Sequence, residues 1–273
     1  MITTAELHDA AHREGLRFDQ VEKDYVILCV LSALVRAGVI DADWTFKGGT
    51  CLRHCYYPGY RFSEDIDFSC RPGDDNVADA ARLLEAAAGL VADDTGMAID
   101  VRAAAQSPGQ EQLEIPLHYS RGGARRQALP AVWVHLTFDE PVLSGAESRT
   151  VLPIYSGLES FQMTAYSLLE IAAEKLRALL QQQEKWPRPR DLYDLWFILC
   201  ARSEPMDGTQ LHALFERKCE VRGVRPDVSQ LTSATLKEWN RAAWTTQLVP
   251  MVKAAPDYDQ VWADWVRTWA ALL

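Results

Sequence analysis

Asp65 and Asp67, separated by one isoleucine, are the residues of this chain best placed to do chemistry. In a strand over 65–68, side chains alternate, so both aspartates share one face while Ile66 and Phe68 share the other. Two carboxylates on an exposed face offer hard oxygen ligands to one or two divalent cations. Upstream, Phe46-Lys47-Gly48-Gly49-Thr50 reads as a strand running into a glycine pair at the start of a helix. There the backbone can come close to a phosphate, with free N–H groups aimed at it. Each half is ordinary alone: an Asp-x-Asp is usually a solvated strand edge, and a Gly-Gly a turn. Their order, strand, glycine pair, helix and then a strand bearing Asp-x-Asp, points to chemistry on a nucleoside triphosphate.

The elements that must position these residues follow from periodicity. Val21, Tyr25, Leu28, Leu31 and Val35 recur at helical spacing, so 19–37 is a predicted helix with Asp19 as its cap and Gly38 as its stop. Residues 44–47 form a short strand, 50–57 a short helix stopped by Pro58-Gly59, and 65–70 a strand ending in an Arg71-Pro72-Gly73-Asp74 turn. An alanine- and leucine-rich helix over 77–91 comes next. Three strands then follow, at 97–102, 112–119 and 132–138, the last two joined as a hairpin through 120–126. From Thr164 the pattern is helical only, over 164–182, 189–202, 208–221, about 229–243 and 258–272. Pro153, Gly157 and Ser160 mark the junction. The reading is an α+β fold, with a mixed-sheet domain over 1–160 and an all-helical C-terminal domain over 161–273.

A length of 273 residues suits two modest domains, and 48% hydrophobic with 24% charged residues suits a buried core. The net charge of −10 excludes a generic nucleic-acid coat, so any RNA contact must use local basic groups. These are Arg121, Arg125 and Arg126 in one segment and Lys185, Arg188 and Arg190 in another. Residues 1–20 lack the apolar core of a leader, and the apolar run 25–35 is too short to span a bilayer, so a soluble, cytoplasmic protein is expected. The six cysteines contain no Cys-x-x-Cys pair and read as free thiols. Cys51, His54 and Cys55 sit on one turn with no distant fourth ligand, a poor metal site. Trp262, Trp265 and Trp269 at i, i+3, i+7 form a core stripe of the last helix.

In the helical half, Lys175 lies in Ala172-Ala173-Glu174-Lys175-Leu176-Arg177-Ala178-Leu179, and Asp191 and Asp194 lie in Arg188-Pro189-Arg190-Asp191-Leu192-Tyr193-Asp194-Leu195. Spacing alone favours a solvated face for the first and a helix N-terminal charge for Asp191.

Three ordered segments resemble the AbiEii/MenT-type nucleotidyltransferase toxins of bacterial abortive-infection and toxin–antitoxin systems. Phe46-Lys47-Gly48-Gly49-Thr50 is similar to that family's Lys-Gly-Gly-Thr opening, and Arg61-Phe62-Ser63-Glu64-Asp65-Ile66-Asp67-Phe68 to its Arg-Phe-Ser-x-Asp-Ile-Asp-Phe block. Glu174-Lys175-Leu176 with Arg190-Asp191-Leu192-Tyr193-Asp194-Leu195 is similar to its paired C-terminal motifs. The matched span, 46–195, covers over half the chain.

The resemblance implies a polymerase-β-like nucleotidyltransferase domain followed by a helical domain. It implies transfer of NMP from a Mg²⁺-bound NTP to an acceptor hydroxyl, in related toxins the tRNA 3′ end, which blocks translation. It also implies a separately encoded antitoxin. Asp65 and Asp67 would hold Mg²⁺. Gly48, Gly49 and Thr50 would cradle phosphate oxygens, with Ser63 and Arg61 beside them. Lys175 would set a point charge on the triphosphate, and Asp191 or Asp194 would orient it or contact the base. This broad fold often carries a third carboxylate on a later strand. The strand 132–138 offers His135 there, and Asp100 is the substitute candidate. Two alternatives keep part of this reading: the same fold acting on a protein or small-molecule hydroxyl, and a nucleotide-binding module without catalysis.

Overall fold

Alternation of apolar and polar residues along the central strands decides which side of the sheet faces inward. The computed structural model describes residues 2–39, 44–71, 77–102, 105–106, 112–122, 128–182 and 186–272. Two units divide the chain: Met1–Pro141 with Ala146–Ala165, and Val142–Gly145 with Tyr166–Leu273.

The first unit opens with α1 (Thr4–Glu14) and α2 (Phe18–Arg36) and continues through β1 (Trp44–Lys47) into α3 (Gly48–Cys51), whose last turns widen over Leu52–Tyr56. Then come β2 (Asp65–Cys70), α4 (Val77–Thr95), β3 (Ala98–Val101), β4 (Ala105–Gln106), β5 (Gln112–Ser120), β6 (Ala131–Thr137), β7 (Ala146–Val151) and β8 (Phe161–Tyr166). Among the described residues these strands make one mixed sheet in the order β3-β5-β6-β2-β1-β8-β7, with β4 beside β5. β2 runs antiparallel to β1 and parallel to β6, while β5 and β6 form the expected hairpin. One face is apolar: Phe46, Ile66, Phe68, Leu113, Ile115, Val132, Val134 and Leu136 have no exposed surface. Helix α2, buried nearly all round, packs against β6 and α4, and α4 packs against β3. The opposite face carries Lys47, Asp65, Asp67, Glu114, Trp133 and His135.

The second unit is helical: α5 (Leu168–Gln182), α6 (Pro189–Trp196, widening through Ala201), α7 (Gly208–Val221), α8 (Ala234–Ala243) and α9 (Tyr258–Leu272). Trp262, Trp265 and Trp269 are buried, and the Trp265 Nε1–H donates to the Leu231 carbonyl at 2.9 Å. No helix among the described residues is long and apolar enough to cross a membrane.

Several elements differ from expectation. The helix expected from Thr164 starts at Leu168, because Phe161–Tyr166 pairs with β1 and completes the sheet. Ser167 ends the strand and caps the helix, its Oγ accepting the Glu170 N–H at 3.1 Å. Strand β7 just precedes the expected junction and was not foreseen; its exposed, charged residues hide its period. Helix α1 is held by a Thr3–Glu6 capping box. Asp19 lies in the first turn of α2, not at its cap, and pairs with Arg17. The segment near 229–243 breaks at Ser233, which caps α8 after a tight turn over Val228–Thr232. The expected turn at 72–74 and part of the 120–126 loop lie outside the described residues.

A buried ionic hub ties the first unit together. The fully buried Asp24 of α2 accepts from Arg53 Nε at 2.9 Å and from the Tyr155 hydroxyl at 2.7 Å, and its Oδ1 lies 3.1 Å from His54 Nε2. Arg53 also donates to the Tyr60 carbonyl and reaches Glu14 at 3.4 Å. Burial alone would raise the Asp24 carboxyl, but His54, Arg53 and the Tyr155 hydroxyl outweigh it and hold it well below its ordinary value of 3.8. The charged form is therefore the native one, and its contribution to stability is present above the unfolded value and lost as pH falls through the folded one. Asp24→Asn should cost about 3–5 kcal/mol at neutral pH, since it leaves Arg53 without its buried counter-charge. It should also flatten the fall in stability on acidification below about pH 4. Urea titrations of both proteins between pH 3 and 7 check this; parallel pH curves would show that Asp24 is not held in its charged form.

Candidate active site

Cross-strand register on the open face of the sheet lines up a row of charge. Lys47 of β1 is opposite Asp67 of β2, Asp67 is beside His135 of β6, and His135 is opposite Glu114 of β5. Two residues along, Asp65 is beside Trp133, and Trp133 is opposite Pro116. Directly opposed residues share a face, so Asp65 and Asp67 project together, half-buried, while Ile66 and Phe68 are sealed in the core. His135 Nδ1 lies 3.0 Å from Asp67 Oδ1. Burial alone would lower the imidazole, but the hydrogen bond and charge of Asp67, with Asp65 and Glu114 behind it, raise it above the ordinary histidine value.

Strand β1 delivers the glycine pair against this row. Gly48 has φ +79, the left-handed region that favours glycine, and a Cβ built on it would overlap the Asp67 carboxylate. A Cβ on Gly49 would come within 2.6 Å of an Arg61 guanidinium nitrogen and 2.9 Å of Ser63 Oγ. Arg61 and Ser63 are both buried, so the glycines, the guanidinium and the hydroxyl form one tight patch on the β1 side of β2. Thr50 is fully buried, and its Oγ1 donates to the Asp65 carbonyl at 2.5 Å, so this hydroxyl holds β2 in place. Lys47 forms a buried pair with Glu140 at 2.5 Å.

The donor set fits a divalent cation of the magnesium type. Such an ion takes one or two protein carboxylates and completes its shell with water and phosphate oxygens. Asp65 and Asp67 present two such carboxylates on one face and would be the residues to hold it, with Gly48 against the Asp67 carboxylate and His135 at 3.0 Å from it. Among the described residues no three His, Cys, Asp or Glu side chains form a metal-holding group by themselves.

His135 stands where a third carboxylate was sought, directly beside Asp67. Asp100 does not: it lies on β3, with β5 and β6 between it and β2, and pairs with Arg102 at 3.0 Å. Three strand spacings of about 4.8 Å keep it from the pair.

In the helical unit, Lys175 Nζ contacts both candidate aspartates, Asp191 Oδ1 at 2.8 Å and Asp194 Oδ2 at 2.6 Å. Asp194 is fully buried; Asp191 also binds Arg188 at 2.8 Å. Burial would raise the Asp191 carboxyl, but Lys175 and Arg188 hold it far below the usual range. Asp191 does lie in the first turn of α6, as spacing alone suggests, but it is paired there with Lys175 and Arg188, and Lys175 is buried, not on a solvated face. A second buried pair, Lys218 with Glu170 at 2.6 Å, is anchored where Glu170 accepts the Leu143 and Ser144 N–H groups at 2.9 and 2.7 Å.

Of the basic residues considered for RNA, Arg121 is engaged by Glu22 and by the Ile2 carbonyl, and Arg188 by Asp191. Arg125, Arg126 and Lys185 lie outside the described residues. Sequence reasoning missed Glu114, Trp133, Glu140 and the Asp24 hub. The alternation Gln112, Glu114, Pro116, His118 along β5 could have shown Glu114, and Trp133 shares the period of His135. No local pattern points to Asp24, which stands among the charged and polar residues of the first turns of α2.

A family profile described as Nucleotidyl transferase AbiEii toxin, Type IV TA system, matches residues 30–269. No curated protein matches the sequence. Among solved structures, the fold is similar to MenT4, a nucleotidyltransferase toxin from Mycobacterium tuberculosis H37Rv, at 20% identity and a TM-score of 0.61, covering 100% of this chain and 99% of that one. It is also similar to JHP933 from Helicobacter pylori, at 16% identity and a TM-score of 0.60, covering 94% and 93%. The chain belongs to the AbiEii nucleotidyl transferase toxins of type IV toxin–antitoxin systems, a membership that makes it a nucleotidyltransferase and implies an NTP substrate and an antitoxin partner.

Proposed function

We propose that this protein is a Mg²⁺-dependent, cytoplasmic toxin that transfers NMP from an NTP to the 3′-terminal hydroxyl of tRNA, blocking translation until a neighbouring gene's antitoxin restrains it. The observation that carries the reading is the Asp65–Asp67 pair on an open sheet face, with Gly48 against one carboxylate and Gly49, Arg61 and Ser63 beside it. The tRNA end is the acceptor that the resemblance of three motifs implies.

In this reading the acceptor oxygen bonds to the α-phosphorus, the α–β bridging bond breaks, pyrophosphate leaves and the hydroxyl proton passes to water. Asp65 and Asp67 would hold Mg²⁺, which would supply positive charge against the negative charge developing on the phosphate oxygens. The Gly48–Gly49 backbone and Ser63 bind phosphate oxygens, and Arg61 places a guanidinium beside them. Thr50 holds the β2 backbone under Asp65. His135 is a positioning residue that fixes Asp67 through Nδ1. Lys175 is required by the reaction, its ammonium oriented by Asp191 and Asp194.

Asp65→Ala and Asp67→Ala should each reduce transfer to background while the protein stays folded. Incubation with each radiolabelled NTP and total RNA measures this, and wild-type rates in either variant would remove the metal assignment. Label appearing on protein, with none on the tRNA band, would overturn the acceptor. Gly48→Ala should push the Asp67 carboxylate from its place and lower transfer by about 100-fold, the scale expected for displacing a reacting group by about 1 Å. Normal activity in that variant would mean that the close approach is not needed. Lys175→Ala should destabilise the protein by about 3–5 kcal/mol, because it strands two buried aspartates. Its transfer rate should still be lost when expressed per folded molecule; a normal rate per folded molecule would make the cluster purely structural.

A further inference from the structure

The face that carries Asp65 and Asp67 also carries a large aromatic side chain that core packing does not explain. Trp133 lies in the middle of β6, beside Asp65 on one strand and opposite Pro116 on the other, and 38% of it is exposed. Its chain neighbours Val132 and Val134 are sealed in the core on the far face. Apart from the buried Pro116 across from it, its neighbours on this face are polar or charged, so a tryptophan there forgoes burial that either adjacent position would have given it. A wide, flat, part-exposed ring beside two cation-binding carboxylates is suited to stack a planar base.

Position says which base. Gly48, Gly49, Arg61 and Ser63, the groups proposed for the triphosphate, lie on the β1 side of β2. Trp133 and His135 lie on the β6 side. Donor phosphates and the tryptophan therefore flank the aspartates from opposite sides. With its backbone one strand from Asp65, a spacing of about 4.8 Å, the tryptophan would hold a nucleoside whose sugar hydroxyls face the aspartate pair. Charge agrees with a base contact over a backbone contact. Glu114, Asp65 and Asp67 surround this part of the face and repel phosphates, whereas a π-face is neutral and accepts any base.

We propose that Trp133 is the stacking platform for the terminal base of a nucleic-acid acceptor. This rests on the nucleotidyl-transfer reading above and names the residue that holds its second substrate. It follows that acceptor recognition at this point is tolerant of base identity.

The test compares wild type, Trp133→Ala and Trp133→Phe in two measurements. In steady-state transfer from labelled NTP to a short single-stranded RNA, Trp133→Ala should raise the acceptor KM roughly tenfold, with the NTP KM within twofold, and Trp133→Phe should recover most of the loss. In anisotropy titrations, which need no turnover, the same fluorescent RNA should bind Trp133→Ala roughly tenfold more weakly. An unchanged acceptor KM, or a rise in the NTP KM instead, overturns the inference while the transfer reading stands. If wild type transfers nothing to RNA, the transfer reading fails by itself, and equal RNA affinity of wild type and Trp133→Ala then overturns the stacking role too. Trp133→Ala should melt lower, since more than half of the side chain is covered, so both measurements are expressed per folded molecule.

Discussion

The site of the first unit depends on one buried ion pair. Asp24 is fully enclosed in α2, and Arg53 sits at the end of the short helix that begins with the glycine pair. Through Arg53, the carboxylate fixes that helix from behind, and through the Tyr60 carbonyl it also fixes the segment that brings Arg61 and Ser63 to Gly49. A salt bridge of this kind is weak evidence for stability when compared with an apolar core, because desolvation offsets most of the attraction. Its value is geometric. Two charges that must stay together in a low dielectric permit one arrangement of three segments that are far apart in sequence, and apolar packing alone would tolerate several.

On that base, the sheet arranges charge by register. The row Lys47, Asp67, His135, Glu114 alternates in sign when the imidazole is protonated, so each carboxylate has a cationic or ring neighbour across a strand. Asp65 and Asp67, only two residues apart on one face, repel each other unless something positive lies between or beside them. The fold answers with His135 at 3.0 Å from Asp67 and with the start of α3 at Gly48, which lies against the same carboxylate. Gly48 is the steric half of the same solution, because any larger residue would occupy the space of the Asp67 carboxylate.

Much of this was legible in the sequence, and the limits are physical. Alternation gave β2, β5 and β6, and helical spacing gave α2, α5 and α9, because in each of these one face is apolar and the period survives. The Asp-x-Asp and Gly-Gly motifs were legible as local geometry, and the resemblance supplied their order. Strand β7 was not legible, since an exposed edge strand such as Ala146–Val151 has no apolar face to keep a period. The end of β8, from Thr164, reads as helix because Ala165 and Tyr166 suit either element, and only pairing with β1 decides. Partners across long sequence distances, Asp24 with Arg53 and Tyr155, Lys47 with Glu140, and Lys175 with Asp191 and Asp194 together, are set by the fold and leave no mark in local spacing.

The acid balance of the chain then takes on a specific meaning. With a net charge of −10, the protein has no long-range attraction for a polyanion. Arg121 and Arg188, which sequence suggested for that purpose, are committed to carboxylates or carbonyls within the fold. An enzyme that must still bind a triphosphate and an acceptor on such a surface needs attraction that acts at short range. Aspartates that recruit a divalent cation turn local negative charge into an anion site, and backbone N–H groups at a glycine turn add partial positive charge without a side chain. In the proposed reading, a neutral aromatic face beside them would recognise a base without sensing the field. Each device works only within a few ångströms, so a nucleotide bound this way is held by fit at one corner of the sheet, and association with RNA in general is not favoured.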